Sequence, residues 1–319
     1  MRIYWSDREG NATNNGCAFQ IRPFFPCNTS KCQADGGIDL PKPQSVQAQF
    51  KTTIPSKKTW IETVHRAKEK IQKGILQKVV LSRAVFLDLK EAVDPFALAH
   101  ALQEKSQNSY VYCIEEKNRA FLGATPELLF SRKGRMIQSE ALAGTRKRGK
   151  TLQEDQQLED ELLQSKKDQA EFLFVEKEIQ SVLSPFCLGS LQTSPIHVRK
   201  TQNVQHLCSQ ITGILSENIT DETLIHRLHP TPALAGLPKK EAFSFIQAHE
   251  QWDRFLFGGC LGRVEAEGSE WIVMIRSCML EDKTATLFSA AGIVIDSDPE
   301  KEWEELDHKI KLYEGILDY

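Results

Sequence analysis

The chain has 319 residues, 40% of them hydrophobic, and its 40 basic and 43 acidic side chains give a net charge of −3. This length permits one large domain or two fused halves. The balanced charge excludes a strong field for nucleic acid or an anionic membrane, and no apolar run approaches the ~20 residues that span a bilayer. The N-terminus lacks the apolar core of a secretory signal. We therefore expect a soluble, cytoplasmic protein with a small-molecule partner, and no nucleic-acid or membrane partner.

The cysteines follow no metal-binding pattern, since no CxxC pair and no Cys/His set has zinc spacing. We interpret them as reduced thiols of a cytosolic protein, most of them in the core. They are Cys17, Cys27, Cys32, Cys113, Cys187, Cys208, Cys260 and Cys278.

Residues 1–56 form a poorly patterned N-terminal segment, and we place the folded domain at 57–319. Apolar residues at helical spacing predict a helix from Lys57 to Lys73, with Gly74 as its C-cap. KVVLSRAVFLDL, which begins at Lys78, is rich in β-branched residues and predicts a strand buried on both faces. A helix from Asp94 to Lys105 follows. The runs YVYCIEE, RAFLGAT, ELLFSR and RMIQSEALAG then predict antiparallel strands at hairpin spacing.

The second half continues with helices and strands. Residues 151–182 predict one long polar helix with an apolar stripe. Further strands are expected near 195–215, and helices at 221–228 and 238–249. In the last third, FLFGGCLGRV, WIVMIRSCML and LFSAAGIVI predict three neighbouring strands, and a final helix begins after Pro299.

Six motifs occur in one order along the chain: KVVLSRA, FLGATPELLF, SEALAGT, KKDQAEF, QHLCSQITG and SDPEKEWEELDHK. Together with IRSC and SAAGIV they resemble the chorismate-utilising enzymes over about residues 55–319. The resemblance implies an α+β fold of two similar α/β halves, with stacked, largely antiparallel sheets, flanking helices and an active site in the cleft between them. Family members usually carry a longer segment before the KVVLSR-type strand, so we expect a shortened N-terminal part.

Two pairs of carboxylates stand at helical i, i+3 spacing: Asp168 with Glu171, and Glu302 with Glu305. Acidic pairs on helices are usually solvated. Four carboxylates brought together would repel one another unless a cation lay between them, and Mg²⁺ prefers such oxygen ligands. The resemblance implies that Glu171 and Glu305 are the more direct Mg²⁺ ligands, with Asp168 and Glu302 in supporting positions.

Lys78 and Glu127 are the candidate catalytic residues. A lysine at a strand end is often only an exposed charge, but burial would lower its pKa and allow it to act as a base. Glu127 stands between apolar residues, so burial could keep it protonated as an acid. A strand glutamate that faces water is the alternative. The resemblance implies that Lys78 activates a water for attack at C2 of chorismate and that Glu127 donates to the leaving C4 hydroxyl.

Chorismate carries two carboxylates, and the planar guanidinium of Arg276 can bind one of them. Small residues in LAGT and AAGI would allow backbone N–H groups to approach a substrate oxygen. Each of these glycines could instead simply form a turn or bulge. His206 could instead be a core residue that donates to the backbone. The expected substrate-binding residues are Gly144, Thr145, His206, Ala233, Arg276, Gly292 and Lys309.

Two details favour the isochorismate synthases within the resembled family. The LAGT segment lacks the lysine of the PIKGT-type motif of aminodeoxychorismate synthases, and Ala233 stands where anthranilate and salicylate synthases tend to have threonine. Lys78 indicates water as the nucleophile, and we expect no obligatory glutaminase partner. Phe257 replaces a tyrosine usual in the family, so a hydroxyl contact to the substrate would be missing.

Other functions remain open at this level. A salicylate synthase would add pyruvate elimination, an amine-transferring synthase would need a glutaminase, and a non-catalytic protein would only bind chorismate. Nucleic-acid binding through Arg146, Lys147 and Arg148 is disfavoured, because no basic stripe or aromatic interleaving accompanies them. Isochorismate could serve quinone, siderophore or salicylate synthesis, which share this chemistry.

Overall fold

A computed structural model describes residues 1–12, 17–24, 30–33 and 40–318. These residues contain seven α-helices and eighteen strands. The helices are α1 (Lys57–Gln72), α2 (Pro95–Lys105), α3 (Leu152–Gln164), α4 (Lys166–Leu183), α5 (Asp221–Leu228), α6 (Lys239–His249) and α7 (Pro299–Ile310). None of the helices in this part of the chain has the length and apolar character needed to cross a membrane.

The strands follow the same numbering in chain order. They are β1 (Arg2–Ser6), β2 (Ala18–Arg22), β3 (Ser30–Gln33), β4 (Val46–Ile54), β5 (Lys78–Leu89), β6 (Tyr110–Glu116), β7 (Arg119–Thr125), β8 (Leu128–Lys133), β9 (Met136–Lys147), β10 (Cys187–Thr193), β11 (His197–Lys200), β12 (Val204–Leu215), β13 (Gly236–Leu237), β14 (Cys260–Val264), β15 (Gly268–Val273), β16 (Ser277–Glu281), β17 (Thr284–Ile293) and β18 (Leu317–Asp318).

Two sheets organise the molecule, which confirms the predicted α+β class. The first runs β1-β6-β7-β16-β17-β5-β4-β18, with β13 on β5, and the second runs β10-β12-β9-β8-β15-β14-β2-β3, with β11 on β12. Every pairing in them is antiparallel except that of β18 with β4. Each sheet contains strands from both the early and the late part of the chain, so neither sheet is a single continuous half.

Apolar side chains from the two sheets form a shared core between them. Trp5 of β1, in the first sheet, packs against Phe19 of β2, in the second, with ring centroids 6.3 Å apart. Phe121 and Phe288, both of the first sheet, pack together at 5.8 Å in the same core. On the outer face of the first sheet lies α2, while α4 covers the second sheet. The layers are therefore helix, sheet, sheet, helix.

The N-terminal segment supplies strands to both sheets. The β1 strand pairs with β6 of the first sheet, and β2 pairs with β14 of the second. Five of the six cysteines with a described side chain are buried, as expected for core residues. Cys27 and the side chain of Cys32 lie outside the described residues.

Local periodicity predicted several elements correctly. The α1 helix begins after Ser56, whose hydroxyl accepts a hydrogen bond from the Thr59 backbone N–H, and it ends just before Gly74, as expected. The β5 strand is buried along nearly its whole length. The single helix predicted over 151–182 is wrong, because Ser165 ends α3 and caps α4 by accepting from the Asp168 N–H at 3.3 Å.

Two predicted strand arrangements are also wrong. RAFLGAT and ELLFSR do not form a hairpin, because β7 lies in the first sheet and β8 in the second. WIVMIRSCML is likewise not one strand, since β15 ends at Val273 in the second sheet and β16 begins at Ser277 in the first. The three predicted runs therefore form four strands, β14 to β17, in two sheets instead of three neighbouring strands.

Candidate functional site

A cleft of about 250 Å³ collects the predicted site residues. All thirteen candidate residues line it, although they come from nine separate parts of the chain. They are Lys78, Glu127, Gly144, Thr145, Asp168, Glu171, His206, Ala233, Arg276, Gly292, Glu302, Glu305 and Lys309. The structure thus brings the whole predicted set together at one place.

Glu127 and Arg276 lie where the chain passes from one sheet to the other. Pro126 and Glu127 separate β7 from β8, and proline interrupts pairing because it has no N–H to donate. Arg276 precedes β16 and has a positive φ of 53°. Two segments cross from one sheet to the other: residues 126–127, here called the Glu127 crossing, and residues 274–276. They are adjacent, since the Val273 N–H donates to the Glu127 carbonyl at 3.1 Å. Because neither residue belongs to a sheet ladder, both side chains are free to face the cleft.

Burial raises the pKa of Glu127 to about 7, although Arg276, Lys309 and Lys78 oppose this shift through their positive charges. A carboxyl with this pKa is protonated in a large fraction of molecules near neutral pH. Glu127 is therefore not the water-facing strand glutamate of the alternative reading. The arrangement gives it the properties of a proton donor.

Lys78 is the first residue of β5, and its side chain is only 11% exposed. The short strand β13 fixes its backbone: Leu237 pairs with Lys78, and the Val80 N–H donates to the Ala235 carbonyl at 2.9 Å. Gly236 is required there, because a Cβ at that position would lie 2.2 Å from the Lys78 carbonyl oxygen. The lysine is therefore a buried, positioned group and not a solvated strand-end charge.

Three of the four cleft carboxylates carry cationic partners. The Lys78 Nζ lies 2.8 Å from Glu171 Oε1, the Lys309 Nζ lies 2.7 Å from Glu305 Oε1, and an Arg146 amino group lies 2.6 Å from Asp168 Oδ2. Arg146 is thus a partner of a site carboxylate, a role that the sequence analysis missed. Lys309 keeps the pKa of Glu305 low through its positive charge.

Glu302 differs from the other three carboxylates. Burial first, and then the negative charge of Glu305, raise its pKa above the ordinary value. Repulsion of this kind is what a bound cation would relieve. The i, i+3 spacing on α7 therefore places two carboxylates close enough to interact.

The donor set suits a hard divalent ion, because all four candidate ligands are carboxylates. Within the described residues, no three Asp, Glu, His or Cys side chains converge as a preformed metal site. Glu171, Glu305 and Asp168 point instead to Lys78, Lys309 and Arg146. The residues fit Mg²⁺ by chemistry and location, and holding it requires these carboxylates to turn from their cationic partners.

Arg276 supplies positive charge inside the cleft. Burial lowers the pKa of its guanidinium to about 10, which leaves it cationic near neutral pH. Its backbone is held by Tyr313, whose hydroxyl donates to the Arg276 carbonyl at 3.0 Å. This geometry suits recognition of a substrate carboxylate.

Gly144, Thr145 and His206 form one contact group. The His206 Nδ1 lies 3.1 Å from the Gly144 carbonyl oxygen and 3.1 Å from Thr145 Oγ1. Burial lowers the pKa of His206 to about 3, so the ring is neutral. Its Nε2 is buried without a partner in the described structure. The histidine therefore bonds to backbone and still presents an unpaired nitrogen at the cleft.

Comparison with known proteins decides the family. The sequence matches the family described as chorismate binding enzyme over residues 30–317. The chain belongs to the chorismate-binding enzyme family.

Three relatives illustrate the match to this chorismate-binding enzyme. The chloroplastic isochorismate synthase of Catharanthus roseus is 36% identical over 84% of the chain and 47% of its own length. Isochorismate synthase MenF of Bacillus subtilis is 34% identical over 80% of the chain and 54% of its own length. The solved structure of MenF, the menaquinone-specific isochorismate synthase from Escherichia coli, is 26% identical, with a TM-score of 0.88 over 97% of the chain and 86% of that protein. The chain thus spans about half the length of these curated relatives.

The chorismate-binding enzyme cleft also contains side chains that sequence reasoning did not select. Phe257, noted only as a departure, stacks on Phe288 with ring centroids 5.6 Å apart, and both line the cleft. Ser289 has a buried hydroxyl without a partner in the described residues. Ser289 is the first residue of SAAG, three residues before Gly292, so the sequence could have indicated it as a candidate. No local pattern marks Phe288.

Proposed function

We propose that this chorismate-binding enzyme is an isochorismate synthase, which converts chorismate to isochorismate with the help of Mg²⁺. The observation that carries the proposal is that Lys78 and Glu127 line the same cleft as Arg276 and four carboxylates. A base, an acid, an anion-binding group and a set of oxygen ligands are the parts that this reaction needs. The named isochorismate synthases among its relatives support the assignment.

The proposed reaction adds water at C2 and removes the hydroxyl at C4. The Lys78 Nζ accepts a proton from the attacking water, and the new C2–O bond forms as both ring double bonds shift, from C1=C2 to C1=C6 and from C5=C6 to C4=C5, and the C4–O bond breaks. The Glu127 carboxyl donates its proton to the departing hydroxyl, which leaves as water. Protons and atoms balance, and no covalent bond to the enzyme is needed.

The remaining cleft residues bind and orient the substrate in this proposal. Arg276 pairs with one chorismate carboxylate, and Lys309 contributes further positive charge. Glu171 and Glu305, with Asp168 and Glu302, would hold the magnesium ion, which when bound neutralises negative charge on the substrate. Ala233 and Gly292 supply room, and Thr145 and His206 supply polar contacts.

Direct product analysis tests the proposal. Purified protein is incubated with chorismate, with and without Mg²⁺, and products are identified by chromatography and mass. We expect Mg²⁺-dependent isochorismate, lost in Lys78→Ala and Glu127→Gln. Salicylate with pyruvate would identify a salicylate synthase, and an amine formed with ammonia or glutamine would identify an amine-transferring enzyme. No turnover by folded protein would overturn the enzyme proposal and leave a binding role.

Cytoplasmic location and independence from a glutaminase belong to the same proposal. Activity of the isolated chain with chorismate and Mg²⁺ alone would support its independence from a glutaminase. The downstream use of isochorismate, in quinone or siderophore synthesis, is not set by the cleft.

A further inference from the structure

One edge of β5 is covered by strands at both ends but not in the middle. The short strand β13 pairs with Lys78 and Val79, and the pairing with β4 begins only at Ala84. Within the described chain, residues 80–83 have no strand partner on that edge, and each of them is at most 4% exposed. Buried backbone groups are costly when they are left unpaired, so other groups are needed to satisfy them.

Two side chains from the segment after α6 fill this gap. The Glu250 carboxylate accepts from the Ser82 backbone N–H at 2.7 Å, and Arg254 Nη2 donates to the Val80 carbonyl at 2.9 Å. The two side chains also pair with each other, because Arg254 Nε and Nη2 each donate to one Glu250 oxygen at 2.7 Å. A neighbouring antiparallel strand would supply the same combination of acceptor and donor. The ion pair therefore replaces a strand partner for β5.

Arg254 also connects β5 to the segment that carries Ala233. Its Nη1 donates to the Leu234 carbonyl at 3.4 Å, and the Val80 N–H donates to the Ala235 carbonyl at 2.9 Å. Four of the five N–H donors of the guanidinium are thus engaged with protein acceptors, and the side chain is only 1% exposed. Although Arg254 belongs to the cleft wall, it therefore acts through the backbone that it holds and not as a ligand of the substrate.

The held backbone positions the proposed base. Lys78 and Val80 are two residues apart in one strand, so their side chains point to the same face, and both line the cleft. A shift of Val80 therefore moves the Lys78 Nζ relative to the cleft. On the other side of the link, Leu234 follows Ala233, which also lines the cleft.

We propose that Arg254, oriented by Glu250, is a positioning residue that fixes the Lys78 end of β5 against the segment that carries Ala233. The planar fork of arginine suits this position, because one guanidinium reaches a carboxylate and two carbonyls, whereas a lysine ammonium is a compact point charge. The effect on turnover rests on the proposed catalytic function. The effect on the backbone does not, and it is measured without substrate.

Arg254→Lys is the main variant, because it keeps a positive charge beside the buried Glu250 carboxylate but loses the fork. Glu250→Gln is the second variant, which keeps an oxygen acceptor and removes the charge that orients the guanidinium; it keeps the proposal testable if Arg254→Lys does not fold. Arg132→Lys is the control. Arg132 also donates to a backbone carbonyl, that of Ile219, and pairs with Asp221, but it does not line the cleft.

Hydrogen–deuterium exchange followed by mass spectrometry measures the effect on the backbone. We expect peptides that cover residues 78–83 and 233–236 to exchange at least about tenfold faster in Arg254→Lys, because two or more local hydrogen bonds are lost. The other peptides should keep their wild-type rates. Glu250→Gln should act on the same two segments, whereas Arg132→Lys should leave both unchanged.

Steady-state kinetics with chorismate and Mg²⁺ measure the effect on turnover. We expect kcat of Arg254→Lys to fall at least about tenfold, since a misplacement of about 1 Å costs up to about 100-fold. KM should change by less than about threefold, because Arg276, which is proposed to bind a substrate carboxylate, is held by Tyr313. Arg132→Lys should keep the wild-type kcat.

Wild-type exchange of residues 78–83 in both Arg254→Lys and Glu250→Gln would overturn the positioning role. Equally faster exchange over the whole chain, or the same fall in kcat in Arg254→Lys and Arg132→Lys, would also overturn it, because a loss of stability alone explains either result. Wild-type kcat with faster exchange of residues 78–83 would overturn the effect on turnover. A wild-type protein that forms no isochorismate would instead overturn the proposed function, and the exchange rates would still decide whether Arg254 holds β5.

Discussion

Gly292 of β17 leaves the space that the Lys78 side chain occupies. A Cβ at position 292 would lie 2.7 Å from Lys78 Cε and 3.2 Å from its Nζ, both closer than ordinary van der Waals contact. The lysine can therefore extend across β17 to Glu171 only because residue 292 has no side chain. The glycine expected to admit a substrate oxygen thus also admits the proposed base.

Gly292→Ala should displace the Lys78 Nζ while leaving the fold intact. If Lys78 is the base, we expect kcat for isochorismate formation to fall about 100-fold or more, the typical contribution of a positioned acid or base. KM should also rise, because the added methyl group takes up room that Gly292 leaves for the substrate. Steady-state kinetics with chorismate measure both constants.

Gly189→Ala is the control for that change, because Gly189 lies in the exposed edge strand β10, where an added Cβ has no neighbour within 4 Å. Its φ of +68° will cost some stability but should leave kcat unchanged. Wild-type kcat in folded Gly292→Ala would show that the position of Lys78 is not critical.

Glu127→Gln should abolish turnover and also change the pH dependence of stability. The folded pKa of about 7 lies above the ordinary value of 4.5, so the folded state binds more protons between these values. Stability of the wild type should therefore fall as pH rises from about 4.5 to 7. The variant lacks this titration and should be more stable than the wild type at pH 8 by about 2 kcal/mol. This free energy is smaller than the full pKa difference implies, because solvent on the open side of the cleft screens the carboxyl.

Urea unfolding at pH 5 and pH 8 measures this difference, and the two proteins should be nearly equal at pH 5. In the wild type, activity that needs protonated Glu127 should decline as pH rises through about 7. A Glu127→Gln protein with the wild-type pH profile of stability would contradict the raised pKa.

Tyr313→Phe should weaken substrate binding through Arg276. The tyrosine hydroxyl donates to the Arg276 carbonyl, and Arg276 has the strained φ of 53°. Without this bond the arginine loses part of its orientation, and we expect KM for chorismate to rise about fivefold to tenfold with kcat within twofold.

Tyr4→Phe is the matched control, because Tyr4 lies in the same core as Tyr313 but its hydroxyl donates to the Gln103 side chain and not to Arg276. Both variants should lose a similar amount of stability, but only Tyr313→Phe should change KM. Equal KM values in the two variants would show that Tyr313 acts only on stability.

Removal of Mg²⁺ by a chelator should abolish isochorismate formation, and added Mg²⁺ should restore it. Glu305→Gln should weaken Mg²⁺ binding by more than about tenfold. Loss of a residue that only hydrogen-bonds to a metal ligand typically lowers metal affinity by about tenfold or more, and loss of a ligand should lower it further. The increase in Tm on Mg²⁺ addition, measured by calorimetry, reports binding without turnover. Glu304→Gln, on an exposed position of the same helix, should bind Mg²⁺ normally. Equal responses of both variants would exclude Glu305 as a ligand.

Local signals were sufficient for most helices, and the motifs of the resembled family selected candidate residues that line one cleft. Ser56 and Gly74 mark the ends of α1 through hydrogen bonding and backbone conformation that depend only on neighbouring residues. The thirteen cleft residues stand in motifs with their own order, so the sequence could assemble them before any geometry was known.

Long-range pairing could not be read in the same way. The strands β7 and β8 are separated only by Pro126 and Glu127, which suggests a hairpin. On one side, however, each pairs with a strand more than 130 residues away, β7 with β16 and β8 with β15. Similarly, Arg146 pairs with Asp168 across a helix boundary that the apolar stripe of 151–182 conceals. Such choices depend on packing between distant segments, which periodicity does not record.

Arg8 connects the N-terminal segment to the Glu127 crossing, although the sequence analysis found no pattern there. It donates to both Glu140 oxygens, at 2.9 and 2.6 Å, and to the Pro126 carbonyl at 2.7 Å. Arg199 donates to the same carboxylate. Burial opposes ionisation of Glu140, but the two guanidinium groups outweigh it and lower its pKa to about 2.

Arg8→Gln should therefore destabilise the protein by about 2 kcal/mol, since the buried carboxylate loses one of two cationic partners. The favourable pairing of Glu140 is present above its ordinary pKa of 4.5 and is lost as pH falls toward 2, so acid unfolding of the variant should begin at higher pH. Urea unfolding at pH 7 and an acid titration measure both effects.

Arg119→Gln is the surface comparison, because Arg119 forms an exposed pair with Glu281, and it should cost less than about 1 kcal/mol. Arg8→Gln combined with Glu140→Gln should recover part of the lost stability, because the neutral amide no longer needs two cations. An Arg8→Gln protein as stable as Arg119→Gln at pH 7 would show that Arg199 alone is sufficient to stabilise Glu140. The N-terminal segment would then contribute to the Glu127 crossing only through strand pairing.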